Sequence, residues 1–129
     1  MIAAFFSMIS VFSNGVKGCA ESSILSEGVV VNGSRITESV LGPNVHIEGY
    51  GIDEHLKDPN FFNISESILL PGVEVGHNVI LRKTIVERDR IIPDGAIVGV
   101  SEEDDLARGI RIVGDEKIRY IPRTYVFEK

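Results

Sequence analysis

Aliphatic residues recur along this chain at intervals of five or six positions, with Gly, Pro, Asn or Asp between them. In the second half they stand at Ile64, Leu69, Val75, Leu81, Val86, Ile92 and Val98. Each of these residues is separated from the third one after it by the same number of positions, for example Ile64 from Leu81 and Val75 from Ile92. An amphipathic helix would space apolar residues three and four apart, and a sandwich strand would alternate for longer before its turn. The pattern therefore predicts short strands separated by turns, with three strands to a coil.

An earlier stretch has the same period. Its aliphatic positions are Leu25, Val31, Ile36, Leu41 and Ile47, and residues 39–45 resemble residues 67–73. Equivalent residues of successive coils would stack in columns about 4.8 Å apart. We therefore predict an all-β fold, a single-stranded parallel β-helix of hexapeptide repeats with about four coils.

Two segments depart from the repeat. Residues 52–62 interrupt it and are predicted to form a loop inserted at one corner. Beyond residue 100, Ser101 begins a capping-box pattern that predicts a short helix through Arg108, with Gly109 ending it. Residues 110–113 and 118–121 then predict two strands of a hairpin. The predicted parts are an apolar leader or cap (1–15), the β-helix with its insertion (16–100), and a C-terminal cap and tail (101–129).

Composition narrows the functional classes. The 129 residues suit one domain or a fragment of a larger one, and the net charge of −6 with a pI near 5.0 disfavours nucleic acid as a partner. Cys19 is the only cysteine, which excludes an internal disulfide framework and Cys-rich zinc sites. No apolar run reaches the roughly 18 residues of a membrane span. The apolar segment 1–12 lacks the preceding basic residue of a secretory signal, so we expect a cytoplasmic protein whose leader covers the start of the β-helix.

Several motifs follow one another in a specific order. Residues 69–76 read Leu-Leu-Pro-Gly-Val-Glu-Val-Gly, and the basic pair Arg82-Lys83, the sequence Ile-Pro-Asp-Gly at 92–95 and the acidic run at 102–105 come after them. In this order, over about residues 11–121, the chain resembles the carboxyl-terminal domain of glucose-1-phosphate adenylyltransferase (ADP-glucose pyrophosphorylase). The resemblance implies a left-handed β-helix that regulates and helps to assemble an enzyme of glycogen or starch biosynthesis.

The resemblance does not extend to that family's chemistry. Its catalytic domain has a Gly-rich nucleotide loop ending in Thr-Arg, and nothing in these 129 residues resembles that loop. We therefore expect a chain that is not catalytic by itself and holds no cofactor, with magnesium and ATP belonging to a separate catalytic domain. The partners implied are further copies of the chain, a catalytic adenylyltransferase domain or subunit, and a phosphorylated metabolite, with neither nucleic acid nor membrane.

The resemblance also implies an allosteric site for an anionic effector. The matching positions are His77, Arg82, Lys83, Arg108 and Arg111. Arginine and lysine suit phosphate groups, whereas a neutral histidine at position 77, where some members carry arginine, suits them less well. Two structural alternatives remain: Arg82 and Lys83 on a solvated face, and Arg108 and Arg111 in salt bridges to Glu102, Glu103 or Asp104.

Other classes of protein share hexapeptide repeats. An acyltransferase would need a positioned histidine base, and a zinc enzyme would need three histidine ligands. The step from His46 to His77 is not a multiple of the coil length, and His55 lies in the insertion, so the three cannot form one column. A purely structural oligomerisation module is the third alternative, and we predict that the isolated chain self-associates.

Overall fold

The computed structural model describes residues 3–13, 16–52, 55 and 57–127. The remaining residues, which belong to the predicted leader, insertion and tail, lie outside that description. In chain order the elements are β1 (Ala3–Ser13), β2 (Val16–Ser26), β3 (Val30–Val31), β4 (Arg35–Thr37), β5 (Val40–Leu41), β6 (His46–Ile47), β7 (Ile64–Ser65), β8 (Ile68–Leu69), β9 (Glu74–Val75), β10 (Ile80–Arg82), β11 (Thr84–Val86), β12 (Ile91–Ile92), β13 (Ile97–Val98), α1 (Glu102–Ala107), β14 (Arg111–Val113) and β15 (Ile118–Ile121).

The short strands pair in parallel with their equivalents in the next coil and form three faces. The first face contains the start of β2 with β4, β7, β10 and β13; the second contains the end of β2 with β5, β8, β11 and β15; the third contains β3, β6, β9 and β12. Each of these strands contributes at least one buried aliphatic residue to the core, for example Ile36, Ile64 and Leu81 on the first face. This arrangement confirms the predicted all-β, hexapeptide-repeat β-helix of about four coils.

Strand register shows how the insertion is accommodated. Leu81 pairs with Ile64 and Ile92 with Val75, so the constant interval predicted from the sequence is confirmed there. Leu69 pairs with Leu41, which lies much further back along the chain. The difference between the two steps equals the number of positions in segment 52–62. The chain therefore leaves the β-helix in that segment and rejoins it in register.

A ladder of buried hydroxyl groups closes the corner between the first and second faces. The Oγ of Ser39 accepts a hydrogen bond from the backbone N–H of Ser67 (3.2 Å), and the Oγ of Ser67 accepts one from that of Thr84 (3.3 Å). Each hydroxyl also donates to the carbonyl oxygen two residues earlier. These bonds satisfy backbone groups that would otherwise be buried without a partner at the turn.

The carboxyl-terminal end of the β-helix is covered by a cap. Helix α1 begins after Ser101, whose side chain accepts from the backbone N–H of Asp104 (3.3 Å) as the capping pattern predicted, and Arg108 is its C-cap residue. Strands β14 and β15 form the predicted hairpin, and β15 pairs in parallel with β11. The hairpin thus takes the place of a further coil on the second face.

Candidate functional site

Arg82 ties the insertion to the β-helix. Its Nη1 donates to the carbonyl oxygen of Phe62 (2.8 Å) and to the Oγ of Ser65 (3.2 Å), and its guanidinium lies 5.5 Å from the ring centroid of Phe61. Tyr50 also contacts Phe61, with ring centroids 5.2 Å apart. Burial raises the pKa of Tyr50, and the positive charge of Arg82 offsets part of this. Arg82 is therefore occupied within the chain and does not lie on a solvated face.

Lys83 occupies the corner that follows Arg82. Its φ of +50° places the backbone in the left-handed region, and its carbonyl oxygen accepts a hydrogen bond from the N–H of Arg119 (2.8 Å). Within the described part of the chain its ammonium group forms no salt bridge. Of the two adjacent basic residues, Lys83 is the one whose charge is available to a ligand.

The side chain of His77 is exposed and lies between two carboxylates. Its Nε2 is 3.8 Å from Glu48 and its Nδ1 is 3.6 Å from Asp94, while His46 Nε2 lies 2.6 Å from the other oxygen of Glu48. The two histidines do not stack, in keeping with their spacing, and meet through Glu48. His55 is elsewhere, stacked 4.6 Å from the ring of Phe61. The described residues contain no group of His, Cys, Asp and Glu side chains arranged to hold a metal ion.

Arg108, whose own side chain is 40% exposed, pairs with a buried carboxylate in the cap network of Asp105, Arg108 and Arg119. Asp105 is 1% exposed; its Oδ1 lies 2.6 Å from Arg108 Nη2, and its Oδ2 lies 2.8 Å from Arg119 Nε. The backbone N–H of Gly99 donates to the same Oδ2 (3.0 Å). A Cβ at Gly99 would collide with the carbonyl oxygen of Arg82, so only glycine fits there. The salt-bridge alternative holds for Arg108, but its partner is Asp105 and not Glu102, Glu103 or Asp104.

Arg111 lies in a different environment from Arg108, although the two are close in sequence. It is exposed on β14, opposite Tyr120 in the hairpin, and forms no salt bridge among the described residues. It lines an open cavity of about 430 Å³. The other lining residues are Gly109, Tyr120, Pro122, Thr124 and Tyr125. A guanidinium beside hydroxyl-bearing residues in a surface cavity is suited to an anionic ligand.

Two further arginines act on Glu87, the hydrogen-bond partner of Tyr120, which lines this cavity. The hydroxyl of Tyr120 donates to Glu87 Oε2 (2.9 Å), and the charges of Arg88 and Arg123 both act on Glu87. Neither arginine forms a salt bridge within the described residues. We call Arg88, Arg111 and Arg123 the open arginine cluster. Arg88 and Arg123 act on Glu87 and Arg111 acts on Tyr120, so the surroundings of this contact carry more positive than negative charge, although the whole chain is acidic.

The Glu87–Tyr120 contact changes the pKa values of both residues. The pKa of Glu87 is lowered, first by the hydrogen bond from the backbone N–H of Arg88 and then by that from Tyr120. The same contact is the largest cause of a raised pKa for Tyr120, which the charge of Arg111 partly opposes. Glu87 is thus held as a carboxylate, and Tyr120 as a neutral phenol.

Arg90 fixes the tail that carries Arg123. Its Nη1 donates to the carbonyl oxygen of Arg123 (3.0 Å), its Nη2 donates to that of Tyr125, and its guanidinium lies 5.7 Å from the ring centroid of Phe127. Arg88, Arg90 and Arg123 were not among the residues predicted from the sequence. The local density of arginine at 88–90 could have indicated Arg88 and Arg90, and no such signal surrounds Arg123.

The comparisons with known proteins agree with this geometry. A family model described as "GlmU-like, C-terminal hexapeptide" matches residues 8–118. The chain belongs to this family. Curated relatives include glucose-1-phosphate adenylyltransferases from Deinococcus radiodurans (32% identical over 115 residues, 89% of this chain and 25% of the relative), Enterobacter sp. (34% over 112 residues, 82% and 23%) and Pseudoalteromonas atlantica (34% over 95 residues, 74% and 20%). The predicted resemblance is confirmed.

These matches cover most of this chain but only a small part of each relative. The chain spans about a fifth to a quarter of the length of the curated relatives, and it matches their C-terminal part. It therefore corresponds to the C-terminal, hexapeptide-repeat part of these relatives. Among the described residues, no helix has both the length and the apolar character needed to cross a membrane.

Proposed function

We propose that this chain is the regulatory and oligomerisation module of a glucose-1-phosphate adenylyltransferase, and that it binds a phosphorylated metabolite at the open arginine cluster. The names of the relatives indicate the enzyme, and the three arginines of the cluster indicate that the ligand is an anion. In this role the module works in the cytoplasm with a catalytic adenylyltransferase domain and controls ADP-glucose synthesis for glycogen. The magnesium and ATP of the reaction bind to that catalytic domain.

The observation that supports this proposal most strongly is the contrast in pairing among the arginines. Arg108 and Arg119 both pair with the carboxylate of Asp105, whereas Arg88, Arg111 and Arg123 have no salt-bridge partner in the described part of the chain. A phosphate group accepts two parallel hydrogen bonds from a guanidinium, and each such charge-assisted bond contributes about 1.5–3 kcal/mol. An effector phosphate in the cavity would supply the negative charge that the open cluster lacks.

The five residues predicted to bind the effector fall into two groups, those with an available charge and those already engaged within the chain. We propose that Arg111 binds the effector and that the available ammonium of Lys83 attracts it. Arg82 and Arg108 are occupied by contacts within the chain, and His77 already lies beside two carboxylates. Their predicted part in effector binding stays a prediction, and the proposal does not depend on it.

Calorimetry on the full chain tests the proposal. A hexose bisphosphate and inorganic phosphate would be titrated into the wild type, Arg111→Gln, Arg123→Gln and the matched control Arg82→Gln. We expect Arg111→Gln and Arg123→Gln each to weaken hexose bisphosphate binding by about 10- to 100-fold, while Arg82→Gln binds like the wild type. Equal weakening by Arg82→Gln, or no binding to the wild type, would contradict the proposed site.

A further inference from the structure

The backbone of the tail that follows β15, residues 122–127, is fastened to the β-helix by one side chain. The tail contains no strand or helix, and within it the N–H of Tyr125 donates to the carbonyl oxygen of Pro122 (3.1 Å). In the described part of the chain, every hydrogen bond between the tail's backbone and the remaining residues is made by Arg90. This guanidinium donates to the carbonyl oxygens of Arg123 (3.0 Å) and Tyr125.

Arg90 makes this attachment without a counter-charge. Among the described residues its guanidinium forms no salt bridge, and its buried Nε has no hydrogen-bond partner. Side-chain contacts complete the attachment: the guanidinium lies 5.7 Å from the ring centroid of Phe127, and the hydroxyl of Tyr125 donates to the carbonyl oxygen of Arg108 (3.1 Å). Segments with so few hydrogen bonds open locally while the rest of the fold stays intact.

The same tail builds part of the cavity that contains Arg111. Pro122, Thr124 and Tyr125 are three of its six lining residues, and Arg123 belongs to the open arginine cluster. When the tail detaches from the β-helix, these residues leave the cavity together. The complete cavity therefore exists only while the tail is closed.

We infer that residues 122–127 form a strap, with Arg90 as its clasp, and that the effector stabilises this strap in its closed position. This inference deepens, and rests on, the effector role proposed above. A phosphate bound by both Arg111, on β14, and Arg123, on the tail, would hold the tail against the hairpin. Arg90 is then a positioning residue, which keeps Arg123 in the site through its backbone and does not touch the ligand.

Coupling of this kind is reciprocal. If the effector favours the closed strap, then a change that opens the strap weakens the binding of the effector. The neutral carbonyl oxygens that hold Arg90 give a weaker attachment than a carboxylate would, so the strap has room to be stabilised further by a ligand. The tail and the ligand can therefore be measured independently, and each should report on the other.

Digestion of the full chain with a carboxypeptidase measures the opening of the strap, because the protease reaches Arg123 only after the tail detaches. Mass spectrometry would follow the removal of residues 123–127. At ten times its dissociation constant, a ligand that binds only the closed form lowers the open population, and with it the rate of trimming, about tenfold. We expect a hexose bisphosphate to slow the trimming of the wild type in this way and to leave that of Arg111→Gln unchanged. Equal trimming of the wild type with and without saturating ligand would overturn the inference.

Calorimetry on variants of the clasp provides the second test. Arg90→Lys keeps the charge but loses the planar fork that holds two carbonyl oxygens, and Arg90→Gln loses both. Arg35→Gln is the matched control, because Arg35 Nη1 also donates to the carbonyl oxygen of a loop residue, Asp58 (3.0 Å). Urea unfolding would verify that the coils of each variant are intact.

We expect both Arg90 variants to bind a hexose bisphosphate about tenfold more weakly than the wild type and to be trimmed faster without ligand. Arg35→Gln should match the wild type in both measurements. Wild-type affinity in Arg90→Lys would overturn the inference, because the charge of Arg90 alone would then be sufficient.

The two measurements distinguish this inference from the proposed function. Binding of a hexose bisphosphate that leaves the trimming rate unchanged would overturn the strap and leave the effector site in place. Absence of binding to the wild type would overturn the proposed function, and the coupling of the strap with it.

Discussion

The cap network and the open arginine cluster use the same side chain in opposite ways. In the cap network, Arg108 and Arg119 share a carboxylate that is 1% exposed. In the open cluster, Arg88, Arg111 and Arg123 are exposed; the charges of Arg88 and Arg123 act on Glu87, and that of Arg111 acts on Tyr120. The resemblance to adenylyltransferases groups Arg108 with Arg111, whereas their surroundings separate them. A basic residue near a predicted site therefore indicates a ligand only when the fold leaves its charge unpaired.

The largest expected effect follows from removing the buried carboxylate. Asp105→Asn would leave the guanidinium of Arg119, which is 7% exposed, without its counter-charge. Breaking a buried ion pair from one side costs about 3–5 kcal/mol, so we expect a loss of that size in the free energy of unfolding, measured in urea.

The matched control for this change is Glu102→Gln. Glu102 pairs with Lys117 at 3.3 Å, and both side chains are about half exposed. Exposed ion pairs contribute only about 0–1 kcal/mol. A loss for Asp105→Asn no greater than that for Glu102→Gln would show that the cap network does not hold the end of the β-helix.

The second prediction concerns stabilisation by ligand. A ligand that binds only the folded state, at a concentration about 100 times its dissociation constant, stabilises that state by about 2.7 kcal/mol. We expect a hexose bisphosphate to raise the melting temperature of the wild type and not that of an Arg111→Gln, Arg123→Gln double variant. An equal rise in both would place the ligand outside the open cluster.

Arg82 provides an intermediate case. It is half-buried and bonded to Phe62 and Ser65, so it should behave as a structural arginine. We expect Arg82→Met to cost about 1 kcal/mol and to speed proteolysis within residues 52–62, with no change in phosphate affinity. Unchanged proteolysis would mean that Arg82 does not anchor the insertion.

The smallest expected effect concerns the Glu87–Tyr120 contact beside the open cluster, which should make the free energy of unfolding depend on pH. Folding lowers the pKa of Glu87 from its unfolded value of 4.5. The contribution of Glu87 to the free energy of unfolding is therefore present above pH 4.5 and is lost as the pH falls through the folded pKa. The raised pKa of Tyr120 acts in the opposite sense: its contribution is present below pH 10 and is lost as pH rises through the folded value.

Tyr120→Phe should therefore flatten the fall in unfolding free energy at both extremes of pH. Tyr125→Phe is the control, because that hydroxyl donates to the carbonyl oxygen of Arg108. Urea titrations at acidic, neutral and alkaline pH would measure the difference. Identical pH profiles for the wild type and Tyr120→Phe would mean that the contact with Glu87 does not form in solution.

The coils could be predicted from the sequence because each repeats one physical requirement. An inward aliphatic residue at every fifth or sixth position predicted the pairing of Leu81 with Ile64, and the break at 52–62 accounts for the longer step between Leu41 and Leu69. The hairpin and the N-cap at Ser101 followed from local turn and capping chemistry.

The site was less predictable because its contacts join residues far apart in the chain. Four acids follow Ser101 in succession, and only the rotation of a short helix decides that Asp105 is the one that points inward. Arg119, the other partner of Asp105, is well separated from it in sequence, and Tyr120 reaches Glu87 from still further away. Neither separation is a multiple of the coil length, so the repeat gave no indication of these pairs.

The central claim is that the effector binds at the open arginine cluster and not at His77, Arg82 or Arg108. An NMR titration of the ¹⁵N-labelled chain with a hexose bisphosphate tests it most directly. The account predicts that the amide signals of Arg111, Tyr120 and Thr124 shift with one shared dissociation constant, while those of His77 and Arg82 stay in place. Saturable shifts confined to His77 and Arg82, or no shifts at millimolar ligand, would contradict it.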